Sequence, residues 1–170
     1  TGLRVTGHAV APADWEAFRS ALRGQDNEGQ DATAPGRRLF TRDLRIAGSL
    51  DEPVETRIDL SPALPAGVGQ VVLQIEATGA TASAAETRPF RGPGRDKALV
   101  WVQATRLALE AFVDADQLLA YASHLEDGRP LAGVDLELLP SGAKARTGPD
   151  GLARLPLTDT AASILVGRSG

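Results

Sequence analysis

Apolar and polar residues alternate with a period of two along Val54-Glu55-Thr56-Arg57-Ile58-Asp59-Leu60, the pattern of a strand with one face buried and the other wet. The alternation is clearer from Gly69 to Thr78, where Val71, Leu73, Ile75 and Ala77 share one face and Gln70, Gln74 and Glu76 the other. This is the best-marked strand of the first half. Ser61-Pro62 and Pro65-Ala66-Gly67 lie between the two runs as turn punctuation. Leu39, Thr41, Leu44 and Ile46 form a further apolar run before Gly48.

A different period governs Pro12 to Arg23. Trp15, Phe18 and Leu22 recur at intervals of three and four, Asp14 and Glu16 come early, Arg19 and Arg23 late. The spacing and charge order predict one short amphipathic helix. Pro12 suits its first turn, and Gly24 is placed as its stop, where a positive φ costs little. Gln25 to Arg38 then crowds Asp, Asn, Gly, Gln, Thr and Pro together with almost no apolar residue. It is expected as a mobile surface loop.

The second half is a series of short aliphatic runs: Ala98 to Gln103, Leu107 to Phe112, Leu118 to Ala122, Val134 to Leu138, then Leu152, Leu155 and Leu157, and finally Ser163 to Val166. At ordinary strand length these make about seven candidates, the content of a small antiparallel sandwich. Asp127-Gly128 and Asp150-Gly151 lie between such runs and predict tight reversals. Thr78 to Gly94 holds few large side chains and ends in Arg91-Gly92-Pro93-Gly94, which cannot continue a regular element. A domain boundary is placed there, giving domains over 1–94 and 95–170. The expected fold class is all-β: two consecutive antiparallel β-sandwich domains, the first with one short helix insertion near 13–23.

Composition changes this picture little. A chain of 170 residues has room for two small domains, and 42% hydrophobic with 24% charged residues is the ordinary balance of folded proteins. A formal charge of −4 with scattered Lys and Arg excludes nucleic acid from the expected partners. No apolar stretch approaches the roughly 20 residues that span a bilayer, so a membrane-spanning segment is not expected. The opening Thr1-Gly2-Leu3 reads as cut from something longer. With no Cys there is no disulfide, thiolate nucleophile or thiolate metal site.

Candidate chemistry is sparse. His8 and His124 are the only histidines, one in each half, so no chelating or relay pair is expected. Asp114-Ala115-Asp116 has the carboxylate spacing of a calcium loop without the glycine and closing glutamate of an EF-hand. Asp51-Glu52 and Glu126-Asp127 adjoin the turn residues Pro53 and Gly128, where solvated carboxylates are ordinary. Gly92-Pro93-Gly94 lacks the lysine and hydroxyl residue of a phosphate loop, and no serine sits in a Gly-x-Ser-x-Gly elbow. Trp15 and Trp101 lie on apolar repeats and are expected in a core rather than on a sugar-stacking platform. No catalytic, cofactor-binding or metal-ligating residue is assigned, and no cofactor is expected.

The second half carries a recognisable string: Ala98-Leu99-Val100-Trp101-Val102-Gln103-Ala104-Thr105-Arg106-Leu107, Ala111-Phe112-Val113-Asp114, Asp127-Gly128-Arg129-Pro130-Leu131-Ala132-Gly133-Val134, Glu137-Leu138-Leu139-Pro140, Thr147-Gly148-Pro149-Asp150-Gly151-Leu152-Ala153-Arg154, and Ile164-Leu165-Val166-Gly167-Arg168. It resembles bacterial alpha-2-macroglobulins. The first half resembles a preceding macroglobulin-like domain through Glu55-Thr56-Arg57-Ile58-Asp59-Leu60-Ser61-Pro62 and Gly69-Gln70-Val71-Val72-Leu73-Gln74-Ile75. The resemblance implies macroglobulin or fibronectin-III-like sandwiches within a secreted or periplasmic, often lipid-anchored, protease trap. In that family a bait segment is cut, the molecule rearranges, and in many members a thioester captures the protease.

A thioester needs a cysteine, which this chain lacks, so no working residue carries over. What the resemblance implies is a scaffold whose partners are neighbouring domains of the same parent chain and, through the parent, host or competitor proteases. Three other readings stand beside it: an immunoglobulin-like spacer or adhesion module, an enzyme or carbohydrate-binding module, and a bait segment within Gln25 to Arg38 or Thr78 to Arg95, cut at Arg37, Arg38, Arg88 or Arg91. An aromatic content of 4% disfavours the second.

Overall fold

The computed structural model describes residues 2–25, 33–47, 53–78, 97–157 and 164–169. The chain divides into two compact units, Thr1–Ala104 and Thr105–Gly170, and its described strands pair antiparallel throughout.

The first unit is framed by one four-stranded sheet: β1 (Gly2–Ala9), β2 (Arg37–Arg45), β3 (Gly69–Thr78) and β4 (Lys97–Ala104), in the order β2-β1-β3-β4. Side-chain alternation gives this sheet two apolar faces. On one, Val72 and Leu99 lie under a helix, α1 (Trp15–Gln25), which presents Trp15, Phe18, Ala21 and Leu22. A 3-10 turn, Pro12–Asp14, leads into it, and the Asp14 carboxylate accepts the Ala11 N–H at 2.8 Å. The opposite face carries Val5, Val71 and Leu73, covered by Ile58, Leu60, Ala63 and Leu64.

Several expectations shift here. Val54 to Leu60 is not a strand, although Ile58 and Leu60 do face the core. The Asp59 carboxylate accepts the Ser61 N–H at 2.9 Å and its hydroxyl at 2.7 Å, and the Leu60 carbonyl accepts the N–H groups of Ala63 and Leu64. This local turn takes the segment away from any ladder. Gly24 does not stop the helix: it is buried within it, and its φ is not positive. Of the expected loop from Gln25 to Arg38, Ala34 is buried against the helix and Arg37 and Arg38 begin β2, while 26–32 lie outside the described residues. Ala98 to Gln103, expected to open the second domain, pairs with β3 instead, from Gly69↔Ala104 to Glu76↔Lys97. The division between units therefore falls at Ala104/Thr105 rather than at 94/95, which lies outside the described residues. A composition change does not tell which sheet the next strand joins.

The second unit is a sandwich of two three-stranded sheets. One has the order β5-β6-β9 and the other β10-β7-β8, with β5 (Leu107–Val113), β6 (Gln117–His124), β7 (Asp135–Leu139), β8 (Ala143–Arg146), β9 (Leu152–Pro156) and β10 (Ile164–Arg168). Leu118, Ala120 and Ala122 of β6 face Leu136 and Leu138 of β7, with Val134 and Leu155 beside them, in one aliphatic core. The intervening residues point outward, as a period of two requires. Both expected reversals are present, with Gly128 at φ 72° and Gly151 at φ 75°, a region closed to most side chains.

Candidate functional site

Among the described polar residues singled out in the sequence, Asp114 and Asp127 hold turns. Asp114 closes the β5–β6 turn: its carboxylate accepts the Ala115 N–H at 2.8 Å and its N–H donates to the Gln117 carbonyl at 2.9 Å. The neighbouring Asp116 carbonyl accepts the Leu157 N–H at 2.8 Å. Asp127 closes the turn after β6. Its carboxylate accepts the Arg129 N–H at 3.1 Å and Nε at 2.7 Å, and these bonds, the backbone one foremost, hold its carboxyl below the usual range. The Tyr121 hydroxyl donates to the Gly128 carbonyl at 3.2 Å in the same turn. Asp51-Glu52, Gly92-Pro93-Gly94, Arg88 and Arg91 lie outside the described residues.

Trp15 and Trp101 meet edge-on at a centroid distance of 5.3 Å, and Phe18 touches both at 5.5 and 5.4 Å. Ring pairs in this geometry gain from their quadrupoles in addition to burial. The aromatic triad fastens the helix to the sheet, in keeping with the core role expected of both tryptophans.

The histidines lie in different units. His124 ends β6, where its carbonyl accepts the Gly128 N–H at 2.8 Å. His8 lies opposite Val72 and Arg38 on the helix-bearing face of β1, and its Nδ1 is buried without a hydrogen-bond partner. Burial pushes its imidazole below the ordinary value, a hydrogen bond to the Gly36 backbone acts in the opposite direction, and the Arg38 charge lowers it further. Gln70 Oε1 on β3 is likewise buried and unpartnered. Among the described residues no group of three or more His, Asp or Glu is placed to hold a metal ion.

The sequence reading missed one polar residue that matters mechanically. Thr147 is 5% exposed; its hydroxyl accepts the Val134 N–H at 2.9 Å and donates to the Leu131 carbonyl at 2.7 Å. Its own N–H donates to the Val134 carbonyl at 3.0 Å, and its carbonyl accepts the Gly133 N–H at 2.9 Å. Four bonds thus tie the strand entry before β7 to the exit from β8. The signal lay in a buried hydroxyl near Gly148, which periodicity does not read. On the outer face of β7, Glu137 accepts Arg168 Nη1 at 3.0 Å and lies 3.7 Å from Lys144 Nζ. The Arg168 bond is the main reason its carboxyl is held low.

What this arrangement does is hold turns and layers in place. The bait reading is not favoured at Arg37 and Arg38, whose backbone is paired with Ala9 and His8 in the sheet.

No protein-family model and no curated protein matches the chain. Solved structures do. The crystal structure of native alpha-2-macroglobulin from Escherichia coli spanning domains NIE-MG1 superposes on 99% of this chain and 79% of its own length, with a TM-score of 0.69 at 14% identity. The crystal structure spanning MG0-NIE-MG1 gives 0.63 at 16% identity over 99% of this chain and 52% of its own. The native conformation of the E. coli protein from cryo-electron microscopy gives 0.57 at 14%, with this chain covering 11% of its length. At such identities the likeness is one of fold, and this chain corresponds to about a tenth of the largest of these structures.

Proposed function

We propose that this chain is a non-catalytic scaffold segment of a bacterial alpha-2-macroglobulin, with its helix-bearing first unit in the NIE position and its sandwich in the MG1 position. The observation that carries the reading is a match over 99% of the chain to a structure spanning domains NIE-MG1, at a TM-score of 0.69. The motif string of the second half supports it, since several of its residues are the pieces that shape the sandwich: Asp127-Gly128, Gly133-Val134 and Thr147 form the turns and the staple. Such a segment contributes shape. It helps hold other parts of the parent in one arrangement until a cut releases another. The parent acts as an endopeptidase inhibitor in the periplasm or outside the cell, anchored through lipid or free. No helix among the described residues is long and apolar enough to cross a membrane.

A domain exchange tests the reading. Residues 1–170 replace the NIE-MG1 segment of the E. coli protein, and the hybrid is examined by gel mobility before and after brief protease treatment. A scaffold of the right shape gives a compact hybrid whose mobility changes on cutting and which shields a large substrate from the trapped protease. A hybrid that folds but shows neither change favours a generic immunoglobulin-like spacer.

A further inference from the structure

The feature left over by the scaffold reading is the free edge of the first unit's sheet. Strand β2 pairs with β1 along one side, from Gly2↔Arg45 to Ala9↔Arg37, and has no strand on its other side among the described residues. In its nine residues it carries Arg37, Arg38, Arg42 and Arg45 against one acid, Asp43, in a chain whose formal charge is −4.

That acid is already engaged: Arg4 donates to it from Nε at 2.9 Å and from Nη2 at 3.3 Å. Arg42 is engaged too, lying 5.1 Å over the Phe40 ring and donating to the Asp59 carbonyl at 3.5 Å. Arg37, Arg38 and Arg45 are exposed, and no carboxylate of the described residues lies within ion-pair distance of them. Among the described residues, three guanidiniums without a carboxylate partner therefore stand at the two ends of a ladder edge about 30 Å long.

We propose that the outer edge of β2 binds an extended acidic peptide segment as a fifth strand. An open edge offers a row of backbone donors and acceptors to any extended chain. The arginines decide which chain is accepted. A second copy of β2 would bring like charges together and is repelled, so the edge is closed to self-association. A segment with carboxylates near both ends meets Arg37 and Arg38 at one and Arg45 at the other, while its backbone completes the ladder. Guarding the edge and choosing an acidic partner are thus two results of one charge pattern.

The full chain is titrated with a fluorescent nine-residue peptide alternating Thr and Glu, with the same peptide N-methylated at every second amide, and with an alternating Thr and Lys peptide. The expected result is saturable binding of the first, at least tenfold weaker binding of the second, and none of the third. An Arg37→Glu/Arg38→Glu/Arg45→Glu variant, checked for native tryptophan emission, weakens the first by tenfold or more. Equal binding of the plain and methylated peptides would reveal a diffuse polyanion attraction and overturn the proposal. So would unchanged binding to the variant, or none to the wild-type chain at millimolar peptide.

Discussion

The first unit closes its core with aromatic rings carried on a helix and with an irregular segment on the opposite face, whereas the second does so with aliphatic residues from two facing sheets. In the second unit the period-two pattern builds the core: a residue's parity decides its layer, while glycines, Asp114, Asp127 and Thr147 fasten the turns and strand ends. In the first, burial depends on pieces that are not in the ladder. The two also differ spectroscopically, because both tryptophans lie in the first unit and the single tyrosine, Tyr121, in the second. Indole and phenol signals therefore follow the units separately.

The strongest way to break the comparison is Phe18→Ala. Phe18 is 4% exposed and touches both tryptophans, and truncating such a buried ring costs about 3–5 kcal/mol. In a denaturant titration the tryptophan transition should move to much lower concentration while the Tyr121 transition stays in place. A joint shift of both would mean that the units unfold as one.

Leu136→Ala is the mirror experiment. Leu136 lies at 2% exposure on the central strand of its sheet, and the cavity left behind costs about 2–5 kcal/mol. Here Tyr121 should report the loss and the tryptophans should not. An effect below the low end would show that the aliphatic core collapses around the gap more readily than the aromatic one.

A smaller effect sharpens how the sandwich is fastened. Thr147→Val keeps the shape but removes the hydroxyl that serves Val134 and Leu131, leaving a buried N–H and a carbonyl without that partner, for about 1–3 kcal/mol. Thr147→Ser should restore most of it. Melting temperatures followed at Tyr121 distinguish this from simple loss of methyl packing, which the serine variant shares and the valine variant does not.

The same contrast sets how much of the molecule could be read in advance. The strands of the second unit, its reversals at Gly128 and Gly151, and the helix seated by Phe18 were legible, because each follows from local periodicity or from a residue that tolerates a special φ. The short strand Ala143–Arg146 and the staple at Thr147 were not, being too small or too polar to carry a period. In the first unit, Val54 to Leu60 has a strand's alternation, of which Ile58 and Leu60 face the core and Val54 is exposed, yet alternation records only which face is buried. Whether a neighbour supplies a ladder is decided by Asp59 and Ser61, which turn the backbone away. Strand β4 was recognised as a strand but given to the wrong unit, since its partner β3 lies far back in sequence.

The finest test concerns His8, a titratable group with a buried atom in the first unit's helix-bearing layer. Burial foremost, and the Arg38 charge after it, lower its folded-state pKa from the ordinary 6.5, against the opposing bond to Gly36. The unfolded chain therefore binds the proton more readily than the folded one, and unfolding is favoured as protons are supplied. The stability His8 contributes is fully present above its unfolded value of 6.5 and is lost as pH falls from there toward the lower folded value. His8→Gln removes this titration while leaving the carboxylates that titrate at lower pH. The difference between wild-type and variant tryptophan midpoints should be flat well above pH 6.5, and over the window in which pH falls below 6.5 the wild type should lose ground relative to the variant. A parallel course for both proteins across that window would mean that the imidazole opens to solvent and takes its proton without disturbing the helix layer.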